Sequence, residues 1–159
     1  MIRIGILGCG KIAQVRHIPE YAENPDCELA AFYNPTRKRA EDMAAKYGGK
    51  VYDTPEELLA DPEIDAVSVC AANYAHAELA IKAMRAGKDV LCEKPMAVTL
   101  EDCEAMVSTA KETGRTLMIA HNQRFAKAHV KAKALIDAGT IGRIVTFRTT
   151  FGHGGPETW

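Results

Sequence analysis

The stretch Ile2-Arg3-Ile4-Gly5-Ile6-Leu7-Gly8-Cys9-Gly10-Lys11-Ile12-Ala13 points to the fold class. Its first six residues are an apolar run that reads as a buried strand. Gly8 to Ala13 then reads G-x-G-x-x-A ahead of a stretch of helical period. In such a turn the first glycine makes the bend and the second lets the backbone approach a pyrophosphate. A small third residue, here Ala13, lets helix and strand pack closely. The helix start at Lys11, Ile12 and Ala13 would present free N–H groups and a positive dipole end to the phosphates. A glycine turn alone is a weak signal, because a doubly wound methyltransferase meets S-adenosylmethionine with a similar loop. The units that follow give it weight.

Outward from the turn, short apolar runs at 28–33, 66–70, 89–92 and 116–120 read as further strands, mostly without a polar alternate, as in a parallel sheet covered on both faces. Helical stretches lie between them. Thr54-Pro55-Glu56-Glu57 supplies a capping hydroxyl, a proline at the first helical position and a glutamate at the third. Thr99 with Asp102 repeats that logic, and Leu100, Cys103, Met106, Val107 and Ala110 then fall on one face up to Gly114. Gly87 and Gly139 close two more helices. The alternation implies right-handed crossovers and an α/β fold with a doubly wound parallel sheet of the Rossmann type. It stops after residue 121. Residues 124–138 read as one more helix and 144–151 as a strand unlike the buried ones. The expected division is a dinucleotide-binding domain at 1–121 and, at 122–159, the first helix and strand of an incomplete second α/β domain for substrate and oligomer contacts.

Composition narrows the function. Twenty basic residues against twenty-one acidic ones give no electrostatic reason to expect nucleic acid or an acidic membrane as partner. The N-terminal apolar stretch breaks at Gly8, too early for a signal-peptide core or a membrane span. The five cysteines, an odd number without closely spaced pairs, read as buried free thiols in a reducing cytoplasm, with no metal site.

An acid at the end of the second strand would accept both ribose hydroxyls of NAD. Asn34 stands there instead, followed by Pro35-Thr36-Arg37-Lys38-Arg39. No carboxylate repels a 2′-phosphate, so charge favours NADP(H) over NAD, with Arg37 and Arg39 as phosphate contacts. The same cations also suit a solvated helix start, with Asn34 hydrogen-bonding the ribose alone. Further on, Gly87-Lys88-Asp89-Val90-Leu91-Cys92-Glu93-Lys94-Pro95 runs from a strand into an abrupt turn. A lysine at the carboxyl end of such a strand faces the ligand crevice, where an ammonium can bond a substrate oxygen. His121 ends a later strand on the same crevice side. His17 and His129 read as surface or packing residues.

The GCGKIA turn, the Asn73-Tyr74-Ala75-His76 segment, the GKDVLCEKP run and Asn122-Gln123-Arg124-Phe125 occur in an order that resembles the glucose–fructose oxidoreductase, inositol dehydrogenase and rhizopine-catabolism family. The resemblance covers nearly the whole chain, and the Glu-Lys-Pro turn is its most specific element. It implies an NAD(P)-dependent enzyme that transfers hydride at a hydroxyl-bearing carbon, often of a sugar or cyclitol. It also implies a second domain on a large open sheet, through which copies associate. Carried over by position, Lys94 is the active-site lysine, Glu93 a cofactor-side neighbour, and Ala71, Asn73 and His76 lie near the cofactor. Arg124 lines the substrate side with His121. The chain departs from the family at Asn34, at Asp89 where histidine is common, and at Lys127 where proline is. The family's later aspartate and histidine acid–base motif does not follow before Trp159, and His153 among glycines is no substitute. Two rivals stand beside this reading: a nucleotide-binding module without chemistry, and a methyltransferase-like domain, against which the Glu-Lys-Pro turn argues.

Overall fold

A computed structural model of the chain describes residues 1–150 and Gly152. It divides into two compact units, Met1–Ala120 and a second that begins at His121.

The first unit is built on six parallel strands: β1 (Ile2–Leu7), β2 (Cys27–Tyr33), β3 (Lys50–Val51), β4 (Ala66–Val69), β5 (Asp89–Cys92) and β6 (Leu117–Ile119). Their order is β3-β2-β1-β4-β5-β6. Successive strands are therefore added to one side of β1 and then, from β4 on, to the other, and a crevice opens outside the carboxyl ends of β1 and β4. β3 is an addition to the five runs legible in the sequence. Helices α1 (Ile18–Glu23), α2 (Arg37–Tyr47), α3 (Pro55–Ala60), α4 (His76–Arg85) and α5 (Leu100–Thr113) connect the strands.

Two apolar cores hold this unit together. One gathers Leu58 and Leu59 of α3, Ala80, Ala83 and Met84 of α4 and Met106 of α5 against Val67, Val69 and Val90. The other packs Ile18 of α1 and Ala40 of α2 against Ile4, Ile6 and Phe32. The helix starts form as their residues dictate: Thr54 Oγ1 accepts from Glu57 N at 3.1 Å, and Thr99 Oγ1 accepts from Asp102 N at 3.1 Å. α5 ends on Gly114 in the left-handed conformation. Its apolar face is only half covered, since Met106 is fully buried while Leu100 and Val107 are exposed.

Lys88 has a structural part to play. It is buried, and its ammonium donates to the carbonyls of Asp61 and Ile64, both at 2.7 Å. This ties the start of β5 to the segment leading into β4.

In the second unit the single helix expected at 124–138 is two pieces. A 3₁₀ turn at Asn122–Phe125 ends at Ala126, whose extended backbone (φ −61°, ψ 130°) interrupts the helical path. α6 (Lys127–Asp137) starts afresh, and His129 Nδ1 lies 2.6 Å from the Gln123 carbonyl, bridging the break. The strand expected at 144–151 does not form over residues 144–150. Alternating side chains alone do not make a strand; the backbone N–H and C=O groups need a ladder partner. Ile144, Val145 and Phe147 are exposed instead. Phe151, His153 and the residues after it lie outside the described residues.

Candidate active site

The glycine turn forms the floor of a cleft of about 410 Å³. It is lined by Gly8 and Gly10 beyond β1, Asn34, Pro35, Thr36 and Arg39 beyond β2, and Cys70, Ala71, Ala72 and Tyr74 beyond β4. Gly8 has φ +101°, and a Cβ there would lie 2.8 Å from backbone atoms of Cys70 and Ala71. The protein itself demands that glycine. Gly10 is different: a Cβ would meet only the Cys70 carbonyl, at 3.9 Å, and its φ is not positive. No neighbouring protein atom crowds a side chain there, so the open space suits a group that is not protein, such as a pyrophosphate.

Beyond Gly10 the chain is helical at once. Gln14 N donates to Gly10 O at 3.1 Å as the first helical bond, which leaves the N–H groups of Lys11, Ile12 and Ala13 ahead of the helix. Ala13 is fully buried and is the small residue that lets helix and strand approach. The Lys11 side chain is exposed on the helix. Asn34 shapes the turn: its Oδ1 accepts from Cys9 N at 3.0 Å and its Nδ2 donates to Thr36 O at 3.0 Å. Both ends of its amide are engaged, so Asn34 organises the walls of the cleft rather than reaching freely into it.

The cations after Asn34 separate. Arg37, expected at a 2′-phosphate, pairs instead with Asp53 and with Glu41 at 3.0 Å. The cause is helical spacing to Glu41 and the approach of Asp53, sixteen residues on. Lys38 pairs with Asp42 at 2.7 Å. Arg39 lines the cleft and has no ion-pair partner among the described residues.

Asn73 and His76, both expected near the cofactor, sit differently. Asn73 is exposed on the 3₁₀ turn Asn73–Ala75, while its neighbours Ala72, Tyr74 and Ala75 line the cleft. His76, expected near the cofactor, is only 1% exposed. Its Nδ1 lies 2.8 Å from Pro95 O and its Nε2 3.1 Å from Ala71 O. At the buried start of α4 it braces two loops and offers no free atom to a ligand.

Glu93 likewise turns inward. It is 8% exposed, and its Oε1 lies 2.9 Å from His17 Nε2. His17, which reads as a surface or packing residue, is equally buried and also faces Ser68 Oγ at 2.8 Å. Pro19 lacks an N–H to continue the helical ladder, and the turn Ala13–His17 widens to a π-helix closed by Ile18 N to Ala13 O. That widening accompanies the inward placement of His17. Lys94 follows Glu93, and the Lys94–Pro95 peptide is cis. His121 and Arg124 are exposed in the second unit, where Arg124 N donates to His121 O at 3.0 Å.

Burial disfavours a charged His17, but Cys70 and Glu93 more than offset it and lift its pKa from 6.5 to about 10. Burial raises the Glu93 carboxyl, and His17 with the Lys94 N–H outweighs it, holding it below its ordinary 4.5. The stabilisation from His17 is complete below 6.5 and is lost as pH rises through about 10. That from Glu93 is present above 4.5 and is lost as pH falls through its depressed value. Glu93→Gln is therefore expected to cost about 3 kcal/mol near pH 6. The difference from wild type should shrink towards pH 10 and in acid, as urea unfolding at pH 4, 6 and 10 would show. A penalty independent of pH would contradict a charged pair.

Among the described residues no group of histidines, cysteines and acids could hold a metal, and no helix is long and apolar enough to cross a membrane. Comparison with known proteins agrees with the crevice geometry. Residues 2–121 match the Gfo/Idh/MocA oxidoreductase family, NAD-binding Rossmann fold. The chain is 35% identical over 150 residues to myo-inositol 2-dehydrogenase of Thermotoga maritima, covering 94% of this chain and 45% of that protein. It is 39% identical over 149 residues to 1,5-anhydro-D-fructose reductase of Ensifer adhaerens, covering 93% and 44%. Among solved structures, KijD10, a 3-ketoreductase from Actinomadura kijaniata in complex with NADP and TDP-benzene, superposes with a TM-score of 0.82 at 32% identity, covering 89% of this chain and 44% of that one. The chain thus spans less than half the length of these relatives. With a six-stranded parallel sheet, a glycine turn at its switch point and a match over residues 2–121, this chain belongs to the Gfo/Idh/MocA oxidoreductase family and carries its NAD-binding Rossmann fold.

Proposed function

We propose that this chain is the cofactor-binding portion of an NAD(P)-dependent dehydrogenase acting on a hydroxyl-bearing carbon of a sugar, cyclitol or similar small molecule. The observation that carries the reading is Gly10: a cleft wall left bare where no protein atom crowds a side chain, beside helix-start N–H groups. The nicotinamide, when bound, supplies the hydride acceptor or donor. Gly8, Gly10 and the N–H groups of Lys11, Ile12 and Ala13 would seat the pyrophosphate. Asn34 would hold the cleft wall, and Ala71 with its neighbours would form the opposite side. Lys94, at the carboxyl end of β5, would hold the substrate hydroxyl and steady its proton.

Relatives that act on inositol and anhydrofructose support the substrate class. Residues from His121 onward would open a second domain for substrate and for assembly with other copies, with His121 and Arg124 on the substrate side. The exposed Ile144, Val145 and Phe147 support such a covering role. Buried free thiols at Cys9, Cys70 and Cys92 suit the cytoplasm.

On charge grounds NADP(H) is favoured over NAD(H), with Arg39 rather than Arg37 as the cation for a 2′-phosphate. The KijD10 structure holds NADP, which supports a family site able to take it. Titration calorimetry with NADPH and NADH is expected to show tighter NADPH binding, and Arg39→Ala should remove about tenfold of that preference. Arg37→Ala should leave it within about twofold, because its guanidinium is already paired. A preference that survives Arg39→Ala would contradict the assignment.

A further inference from the structure

The turn Glu93-Lys94-Pro95 is held from both flanks by buried histidines on different helical segments. On one side the Glu93 carboxylate is divided between two donors. Oε1 meets His17 Nε2 at 2.9 Å, and Oε2 accepts the backbone N–H of Lys94 at 3.0 Å. On the other side the Pro95 carbonyl meets His76 Nδ1 at 2.8 Å. The Glu93 backbone N–H also donates to Val69 O at 2.9 Å, which extends the β4–β5 ladder to the last residue before Lys94.

A carboxylate this enclosed needs a charged or hydrogen-bonding partner, and an apolar side chain at position 17 would fill the space without supplying one. The contact joins residues 76 positions apart, so it links the helix that starts at the glycine turn to the end of β5. Ser68 Oγ, at 2.8 Å from Nδ1, fixes the ring from its other side. The carboxylate thus acts as a rigid arm, with its far end on the Lys94 amide.

We propose that His17 is a positioning residue for Lys94: by holding the Glu93 carboxylate against the Lys94 N–H, it sets where the lysine leaves the sheet. This rests on the reading of Lys94 as the substrate-facing group. It gives the first helix a second task beyond seating a pyrophosphate, since the same helix carries the strut beneath the reacting side of the cleft.

The test needs no substrate and no bound dinucleotide. Amide hydrogen exchange on the 159-residue chain reads the Lys94 N–H directly. In His17→Leu that amide is expected to exchange about ten- to a hundredfold faster, the loss of a hydrogen bond to a charged acceptor. The amides of Val90, Leu91 and Cys92 should keep their protection. In His17→Gln, whose amide can still donate to Glu93, Lys94 exchange should stay within about threefold of wild type. Should the leucine variant fail to fold, His17→Asn, polar but too short to reach Glu93, takes its place with the same expected result. Unchanged Lys94 exchange in the folded variant overturns the proposal, as does a loss of protection spread evenly over β5. An NADH titration of the same wild-type sample separates this from the broader reading: NADH that fails to bind sinks the cofactor assignment, while the exchange result still decides the strut.

Discussion

Gly8→Ala is expected to lose about 3–5 kcal/mol of stability, enough to unfold much of a domain whose whole margin is about 5–15 kcal/mol. Two costs add. The φ of +101° is one that a side chain strongly disfavours, and the new Cβ would sit 2.8 Å from the Ala71 nitrogen and the Cys70 carbonyl group. Those are backbone atoms at the end of β4, and they cannot move without disturbing the β1–β4 pairing that continues through Cys70 N to Leu7 O. Urea unfolding monitored by circular dichroism reads the effect. A midpoint equal to wild type would show that the turn relaxes freely, and the geometry argued for it would be wrong. Gly10→Ala supplies the contrast. Its Cβ has only one neighbour, at 3.9 Å, so stability should stay within about 1 kcal/mol of wild type.

Lys94→Ala carries the other large effect. In a form spanning the full length of the relatives, turnover with a polyol or sugar substrate is expected to fall about 10²–10⁴-fold, the range for removing a positioned proton-transfer group. Dinucleotide affinity should change by less than about threefold, which would place the loss in the chemical step rather than in cofactor binding. Steady-state kinetics beside a binding titration make the distinction. Undiminished turnover sinks the lysine assignment. A fall in affinity as large as the fall in turnover would move Lys94 to the cofactor side.

What the sequence made legible follows from how local each signal is. The glycine turn and the buried strands at 2–7, 66–69 and 89–92 announce themselves, because a parallel strand covered on both faces is a short continuous apolar run. The caps at Thr54 and Thr99 are equally local, a hydroxyl that accepts from the backbone N–H three residues on. β3 escapes such reading, since two residues beginning with Lys50 carry no period at all. The contacts of the site that no local pattern shows are long-range. Nothing near His17 reveals that Glu93, just past the end of β5, faces it, and nothing near Arg37 reveals Asp53. His76 opens a helix in the expected loop, yet its burial is decided by the Pro95 carbonyl nineteen residues on. The run 144–150 shows the converse: local alternation was present, but a strand exists only with a neighbour to pair with.

The open cleft above Gly10 is the feature that suits a dinucleotide. A titration of NADH, followed by its fluorescence, into the wild-type chain and into Gly10→Ala side by side reads this fit. Saturable binding by the wild type and at least about tenfold weaker binding by Gly10→Ala are expected, with the stabilities of the two proteins within about 1 kcal/mol of each other. Equal affinity in the two proteins, or no binding by a folded wild type, would contradict it.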